Sequence, residues 1–185
     1  MHTEQHLSNY RLKLQQCGAL RPEAWEQCVP LLKVLRIGIN NSCMVPRGSI
    51  AYVAEGLLKE YDTKHRKSPS IVNFLAPGQF FYSYASANRI YIKATAPCTI
   101  ILLGRKEIRS LVLAFDELDS LFLALCTQYD ELRLLKIQLL EYPVAERIET
   151  FRSNFKAIIP YLKKKDIANY LHLNYTHFLK NWNSY

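Results

Sequence analysis

Apolar positions along the chain switch from a helical period to a strand period and back again. Over residues 4–35, Leu7, Tyr10, Leu12, Leu14 and then Trp25, Val29, Leu32 and Leu35 supply apolar faces to helices. Pro22 suits a helix start, where its missing N–H would be unpaired anyway. From about Leu35 the segments shorten: 48–54, 56–61, 70–74 and 90–95 are rich in β-branched and aromatic residues and are separated by turn signals. Alternation is plain in Arg89-Ile-Tyr-Ile-Lys-Ala and gives way to an apolar run at Thr99-Ile-Ile-Leu-Leu. Many short strands with no helix between them predict an antiparallel roll or sandwich rather than a βαβ sheet.

After Gly104 the helical period returns, first over 105–113 and then over 116–142, where Pro143 ends it. Leu118, Leu121, Leu125, Leu132, Leu135 and Leu139 recur at three-four spacing, with Gln128 at the interrupted position, and Phe122, Cys126, Tyr129, Ile137 and Leu140 form a second stripe. A helix with two apolar stripes has two surfaces to cover, and the assignment that follows is its own β-domain on one side and a twin helix on the other, with Gln128 setting the register. Beyond it, Ile148, Phe151 and Phe155 fall on the inner face of a further helix.

The stretch from Lys163 to Trp182 then has a helix-turn-helix pattern: Ile167, Ala168 and Leu171 on one short helix, Leu173 as the plug of the turn, Asn174 as N-cap, and a second helix from Tyr175 carrying Phe178 inward. The expected architecture is α+β: an antiparallel double-stranded β-helix (jelly-roll) N-terminal domain with N-terminal helices over 1–115, a long connecting helix over 116–142, and a small all-α helix-turn-helix domain over 143–185. A unit of some 40 residues is too small to hold itself, so it should depend on packing against the long helix.

Charge qualifies this picture. The formal net charge of +8 is spread unevenly: residues 1–105 carry 13 basic and 6 acidic side chains, 106–142 carry 4 and 7, and 143–185 carry 7 and 3. A basic C-terminal segment suits a phosphate backbone, although the larger excess lies at the N-terminal end. Five scattered cysteines, Cys17, Cys28, Cys43, Cys98 and Cys126, without a Cys-x-x-Cys pair, read as reduced thiols. The first residues lack the apolar core of a signal peptide, and no run approaches the roughly 20 apolar residues of a membrane span. The expectation is a cytoplasmic protein with no membrane partner.

The order of elements resembles the Crp/Fnr family of bacterial transcription regulators, with a cyclic-nucleotide-binding-like β-roll. Tyr52-Val-Ala-Glu-Gly-Leu-Leu-Lys-Glu-Tyr resembles the family's strand-Gly-strand hairpin, Phe74-Leu-Ala-Pro-Gly-Gln-Phe-Phe the turn before its ligand cassette, and Lys165-Asp-Ile-Ala-Asn-Tyr-Leu its first motif helix. Pro77-Gly78 suits a type II turn on physical grounds. The resemblance implies a homodimer, paired through residues 118–139, that binds double-stranded DNA. Tyr175, Thr176 and Lys180 would face base edges, Asn174 and His177 would lie near phosphates, and Lys163, Lys164 and Lys165 would hold the backbone. His172 stands where the family turn has Gly, a position that often needs positive φ. Asn181 falls where an aliphatic side chain is usual, leaving Leu179 or Trp182 to compensate.

For the cassette, the resemblance implies a Gly-Glu pair and an Arg followed by a small hydroxyl residue. The chain reads Phe81-Tyr-Ser-Tyr-Ala-Ser-Ala-Asn-Arg-Ile-Tyr. Tyr82 and Ser83 stand in place of the pair, and Arg89 is followed by Ile90, so Tyr82, Ser83 and Arg89 are candidate ligand contacts in a degenerate site. Phe80, Phe81, Tyr82 and Tyr84 would fill the ligand space or pack on the long helix. No cofactor is expected: a cyclic nucleotide is the ligand the resemblance would supply, and the residues to hold it are missing. An unknown small-molecule effector remains an open partner.

The rival classes are an enzyme and an interaction module. An enzyme of the cupin kind needs inward His and carboxylate ligands, yet of His2, His6, His65, His172 and His177 only His65 lies in the β-region, and no nucleophile-base pair or phosphate-binding Gly loop is present, so no enzyme is expected. The alternative function is a cyclic-nucleotide-binding-like regulatory or protein-interaction module that no longer binds DNA specifically.

Overall fold

The computed structural model describes residues 2–64, 68–83 and 90–183. Among the described residues, eight strands form two antiparallel four-stranded sheets: β1 (Lys33–Ile37), β2 (Ser42–Cys43), β3 (Ile50–Glu55), β4 (Leu58–Asp62), β5 (Ser70–Leu75), β6 (Phe80–Tyr82), β7 (Ile90–Ala94) and β8 (Cys98–Leu103). One sheet runs β1-β8-β3-β6 and the other β2-β7-β4-β5, with β5 at its edge. The fold is the α+β arrangement expected, an antiparallel roll followed by a long helix and small C-terminal helices.

Two glycines turn the chain where no other residue would do so without strain. Gly78 (φ 86°) follows Pro77 in a turn closed by Gln79 N–H donating to the Ala76 carbonyl, 3.1 Å. Gly56 (φ 87°) lies so close to Pro97 and Cys98 that a Cβ would strike the Pro97 carbonyl oxygen. The segment around Gly56 is not a hairpin, as its sequence suggested. β3 pairs with β6 and β8, β4 with β5 and β7, so Gly56 is the corner where the chain crosses from one sheet to the other. The tight approach to Pro97 is what lets the two sheets meet there.

Helices α1 (His2–Cys17) and α2 (Pro22–Cys28) precede the roll, and a 3-10 turn over Val29–Leu31 replaces the end of the helical region expected to 35. Lys33, Val34 and Leu35 belong to β1 because they pair with Leu102, Ile101 and Ile100 of β8. Strands β1, β2 and β6 carry no marked alternation of their own; partners hold them in place.

The helices α3 (Arg105–Ala114) and α4 (Glu117–Glu141) follow, then α5 (Val144–Asn154), α6 (Lys164–Tyr170) and α7 (Tyr175–Trp182). The stripes of α4 require correction. Phe122 and Tyr129, placed on the second stripe, are buried in the chain's own body together with Leu118, Leu121, Leu125 and Leu139. The outward apolar side chains are Leu123, Leu134 and Ile137, between 54% and 66% exposed. Within the chain, the Gln128 side-chain amide donates to Cys17 Sγ of α1 at 3.3 Å. The sheets wrap α4 over more of its circumference than one stripe, so its inner face is broad.

Three apolar clusters hold the molecule. Tyr10, Tyr52 and Phe80 pack the N-terminal helices on the first sheet beside Leu118 and Phe122 of α4. Val53, Leu58, Leu75, Phe81, Ile100 and Leu102 fill the space between the sheets, with Tyr129. Ile71 and Phe74 of β5 join Leu139, Ile148, Phe151, Phe155, Ile167, Ala168, Leu171 and Phe178 in the third. The C-terminal helices therefore rest on the edge strand of the roll as well as on α4.

Candidate nucleic-acid interface

The local chemistry of α6 and α7 places their exposed side chains. Asn174 has extended backbone, and its side-chain oxygen accepts from Thr176 N–H (3.0 Å) and His177 N–H (3.4 Å), so α7 begins at Tyr175 as the sequence required. His172 takes φ 55°, the left-handed turn conformation that its position implied, and its Nε2 lies 3.0 Å from Ser70 Oγ of β5. Phe178 is fully buried, with Trp182 packed against it at 5.0 Å between ring centroids. Leu179 and Trp182 join the third cluster, while Asn181 donates to the His177 carbonyl at 2.9 Å. Compensation for Asn181 comes from both neighbours.

With those residues inward, Asn174, Tyr175, Thr176, His177 and Lys180 are exposed on one end and side of α7. Lys163, Lys164 and Lys165 are exposed at the start of α6, with Lys163 as its N-cap. All eight predicted positions thus lie on the α6–α7 unit, outside the core. Lys164 Nζ reaches Asn183 Oδ1 at 3.5 Å, which ties the two helices at the surface.

The unit is fastened to the roll and to α4. Asn169 of α6 imitates a neighbouring strand along the edge of β5: its Oδ1 accepts from Ile71 N–H (2.7 Å) and its Nδ2 donates to the Pro69 carbonyl (3.1 Å). Lys59 Nζ meets Asp166 Oδ2 at 2.9 Å. Burial alone would lower the Lys59 ammonium, but the bond to Asp166, with Tyr61 beside it, holds it above the usual lysine range. Lys136 of α4 is nearly buried and donates to the Ile71 carbonyl at 2.5 Å. Arg147 of α5 donates to the carbonyls of Leu140 (2.8 Å), Tyr142 (2.9 Å) and Leu171 (3.0 Å), joining the end of α4 to the end of α6. Arg152 lies over the Trp182 ring, 4.1 Å from its centroid, and donates to the Trp182 carbonyl.

None of Asn169, Lys136, Arg147 or Arg152 stood out in the sequence. Lys136 carried a signal, since it lies four residues after Leu132 and three before Leu139 on the apolar stripe. Arginine and asparagine bonds to carbonyls leave no periodic trace.

The candidate ligand residues lie elsewhere, at a cavity of about 280 Å³ in the roll. Tyr82 and Ser83 line it, whereas Arg89 and Tyr84 fall outside the described residues. Ser83 Oγ donates to the Val45 carbonyl at 3.3 Å. The aromatic cluster divides: Phe80 packs with Tyr10 and Tyr52, Phe81 is buried between the sheets, and Tyr82 faces the cavity. Glu60 is a lining residue that motif reading missed. Strand parity pointed to it, because Glu60 shares the inward face with Leu58. Tyr129 donates to Glu60 Oε1 at 2.7 Å. Burial pushes the Glu60 carboxyl up, against that bond and the positive fields of Arg133 and Lys136.

No protein-family model matches the sequence, and no curated protein matches it. Solved structures do. FixK2 from Bradyrhizobium japonicum superposes with a TM-score of 0.72 at 14% identity, covering 83% of each chain. A cyclic nucleotide-binding domain containing protein from Listeria monocytogenes gives 0.69 at 11% identity over 100% of this chain and 90% of the other. A transcriptional regulator assigned to the Crp/Fnr family, from Eubacterium rectale, gives 0.66 at 12% identity over 89% and 83%. The chain has the fold of Crp/Fnr-type regulators. Among the described residues no helix is long and apolar enough to cross a membrane, and no group of His, Cys, Asp and Glu is placed to hold a metal ion.

Proposed function

We propose that the chain is a Crp/Fnr-like transcription regulator that acts as a cytoplasmic homodimer and binds double-stranded DNA, not an enzyme. The observation that carries this reading is the α6–α7 unit, whose apolar side chains are buried while Tyr175, Thr176, His177 and Lys180 stand uncovered. In this reading Tyr175, Thr176 and Lys180 read base edges, Asn174 and His177 approach phosphates, and Lys163, Lys164 and Lys165 add salt-dependent grip without sequence preference. Residues 1–115 serve as sensor, 116–142 as dimerisation helix and 143–185 as reading head. Leu123, Leu134 and Ile137 are the side chains that a twin helix would cover. The cyclic-nucleotide site is degenerate: the cavity presents the Glu60 carboxylate, which would repel a phosphate.

Selection from random duplex DNA at moderate salt tests the reading. It should enrich one sequence, bound with an affinity that falls steeply with salt and is lost when Tyr175, Thr176 and Lys180 are changed together. Enrichment of no sequence would remove the regulator reading and favour an interaction module that no longer reads DNA.

A further inference from the structure

The turn between α6 and α7 is fastened to the roll through a serine that also serves a buried lysine. Lys136 of α4 is 6% exposed, and its ammonium donates to the Ile71 carbonyl at 2.5 Å and to Ser70 Oγ at 3.4 Å. The same Oγ lies 3.0 Å from His172 Nε2. An ammonium has hydrogens to give and no lone pair, so Ser70 accepts from Lys136 and has its single hydrogen left for His172. Nε2 is then the acceptor, and the ring is neutral with its proton on Nδ1. Lys136 also lies 5.2 Å from the centroid of the Tyr170 ring, so the end of α6 and the turn after it both rest against this cation.

Protonation of His172 would reverse that bond. Nε2 would carry a hydrogen, Ser70 Oγ would face a donor on each side, and two cations would share one hydroxyl, two hydrogen-bond lengths apart at most. The elements packed around the turn offer little to offset this. β5 brings Ser70 and no charged residue. α5 adds Arg147, which donates to the Leu171 carbonyl next to His172. On α6, Asp166 is taken by Lys59 of β4. Glu60 of β4 feels the field of Lys136, but it accepts from Tyr129 at the cavity wall. Glu141 of α4 and Glu146 of α5 are exposed, as are His177 and Lys180 of α7. His172 is itself exposed, so protons from solvent reach it. We propose that His172 makes the docking of the C-terminal helices on β5 sensitive to pH: its neutral ring holds the α6–α7 turn on Ser70, and its protonation in mildly acid solution loosens that turn beside Lys136. The docking responds in this way whether or not the helices read DNA, so a DNA selection that enriches nothing leaves it untouched.

A histidine kept neutral by the fold takes up its proton more readily in the unfolded chain. The stability it contributes is therefore present above the range where the unfolded ring titrates, and is lost as pH falls through the range of the folded ring. The test is proton NMR of the histidine rings across pH 5 to 8, in the native and the urea-denatured full chain, together with urea denaturation at pH 7.5 and 5.5. His172→Asn tolerates positive φ and does not titrate, so it identifies the His172 signal by its absence and serves as the reference. The His172 signal should titrate at lower pH in the native chain than in the denatured one. Between pH 7.5 and 5.5 the folded-to-unfolded ratio of the parent should fall about fivefold more than that of His172→Asn. His65→Gln removes the other histidine near β5 in the sequence and should leave the parent's pH response in place. Lys136→Met removes the neighbouring cation and should move the His172 signal toward its denatured behaviour; if that variant does not fold, the titration of the parent decides by itself. A native His172 ring that titrates with or above the denatured one overturns the proposal. So does an equal pH response of the parent and His172→Asn, or loss of the response in His65→Gln.

Discussion

Glu60 and His172 both sit in conditions that their residue types disfavour, one buried and the other at positive φ. Glu60 has a carboxyl raised above its ordinary value of 4.5, chiefly by burial. A raised carboxyl holds its proton more tightly in the folded state, so its stabilising contribution is fully present below the unfolded value and is lost as pH rises through the folded one. Above the unfolded value the group therefore works against folding, because the buried carboxyl ionises less readily than the exposed one. Glu60→Gln keeps the Tyr129 bond and removes the charge, and should be more stable than the parent at neutral pH but nearly equal at about pH 4. Urea denaturation at the two pH values checks this; a constant difference would mean that Glu60 does not titrate between them. His172 carries a Cβ at φ 55° and is stabilised there by Ser70. His172→Ala keeps the strained Cβ and loses the bond, with an expected cost of about 1 kcal/mol. His172→Gly loses the same bond but removes the strain, and should be less damaging than Ala by about 1 kcal/mol. Equal losses would show that the left-handed turn is unstrained.

At the scale of elements, α4 has one apolar face buried in the chain and apolar side chains on the other. Its inner face holds the roll through Leu118, Leu121, Phe122, Leu125 and Tyr129, and its outer face offers Leu123, Leu134 and Ile137. In the proposed homodimer, sedimentation equilibrium should find the parent chain dimeric, and replacing Leu134 and Ile137 together by Asp should make it monomeric while leaving the fold intact, because both side chains are more than half exposed. A double variant that stays dimeric would place the interface elsewhere. The edge strand β5 shows the same economy of construction. Its open side is met by Asn169 and Lys136, which supply the partners that a further strand would have given.

For the whole molecule, the third apolar cluster matters most, since it joins Ile71 and Phe74 of the roll to α4, α5, α6 and α7. A terminal unit of about 40 residues buries too little to be stable by itself. Calorimetry of the full chain should therefore show one cooperative transition, with calorimetric and van't Hoff enthalpies in agreement. Two separated transitions would mean that the contacts through Asn169, Asp166 and Lys136 add little. In the native arrangement those contacts also set the direction in which α7 presents its exposed side chains.

Sequence pattern was enough for the elements whose signal is local. The long helix to Pro143, the N-cap at Asn174, the positive φ at His172 and the turn at Pro77-Gly78 all depend on neighbours within a few residues, and each appears as expected. The positions of α7 expected to face DNA came from the Crp/Fnr resemblance, and Tyr175, Thr176, His177 and Lys180 are exposed beside buried Phe178. Other features needed partners distant in the chain. Strand β1 exists through pairing with β8, Gly56 is a corner because Pro97 approaches it, and Gln128 bonds Cys17 of α1. Glu60 and Lys136 are buried because the sheets and α4 close over them. Backbone propensity and apolar period act over one turn or one strand and are written in order along the chain. Burial of a charge, the face a helix shows to solvent and the docking of the C-terminal helices on β5 are decided by contacts across some hundred residues, and only the folded chain brings those together.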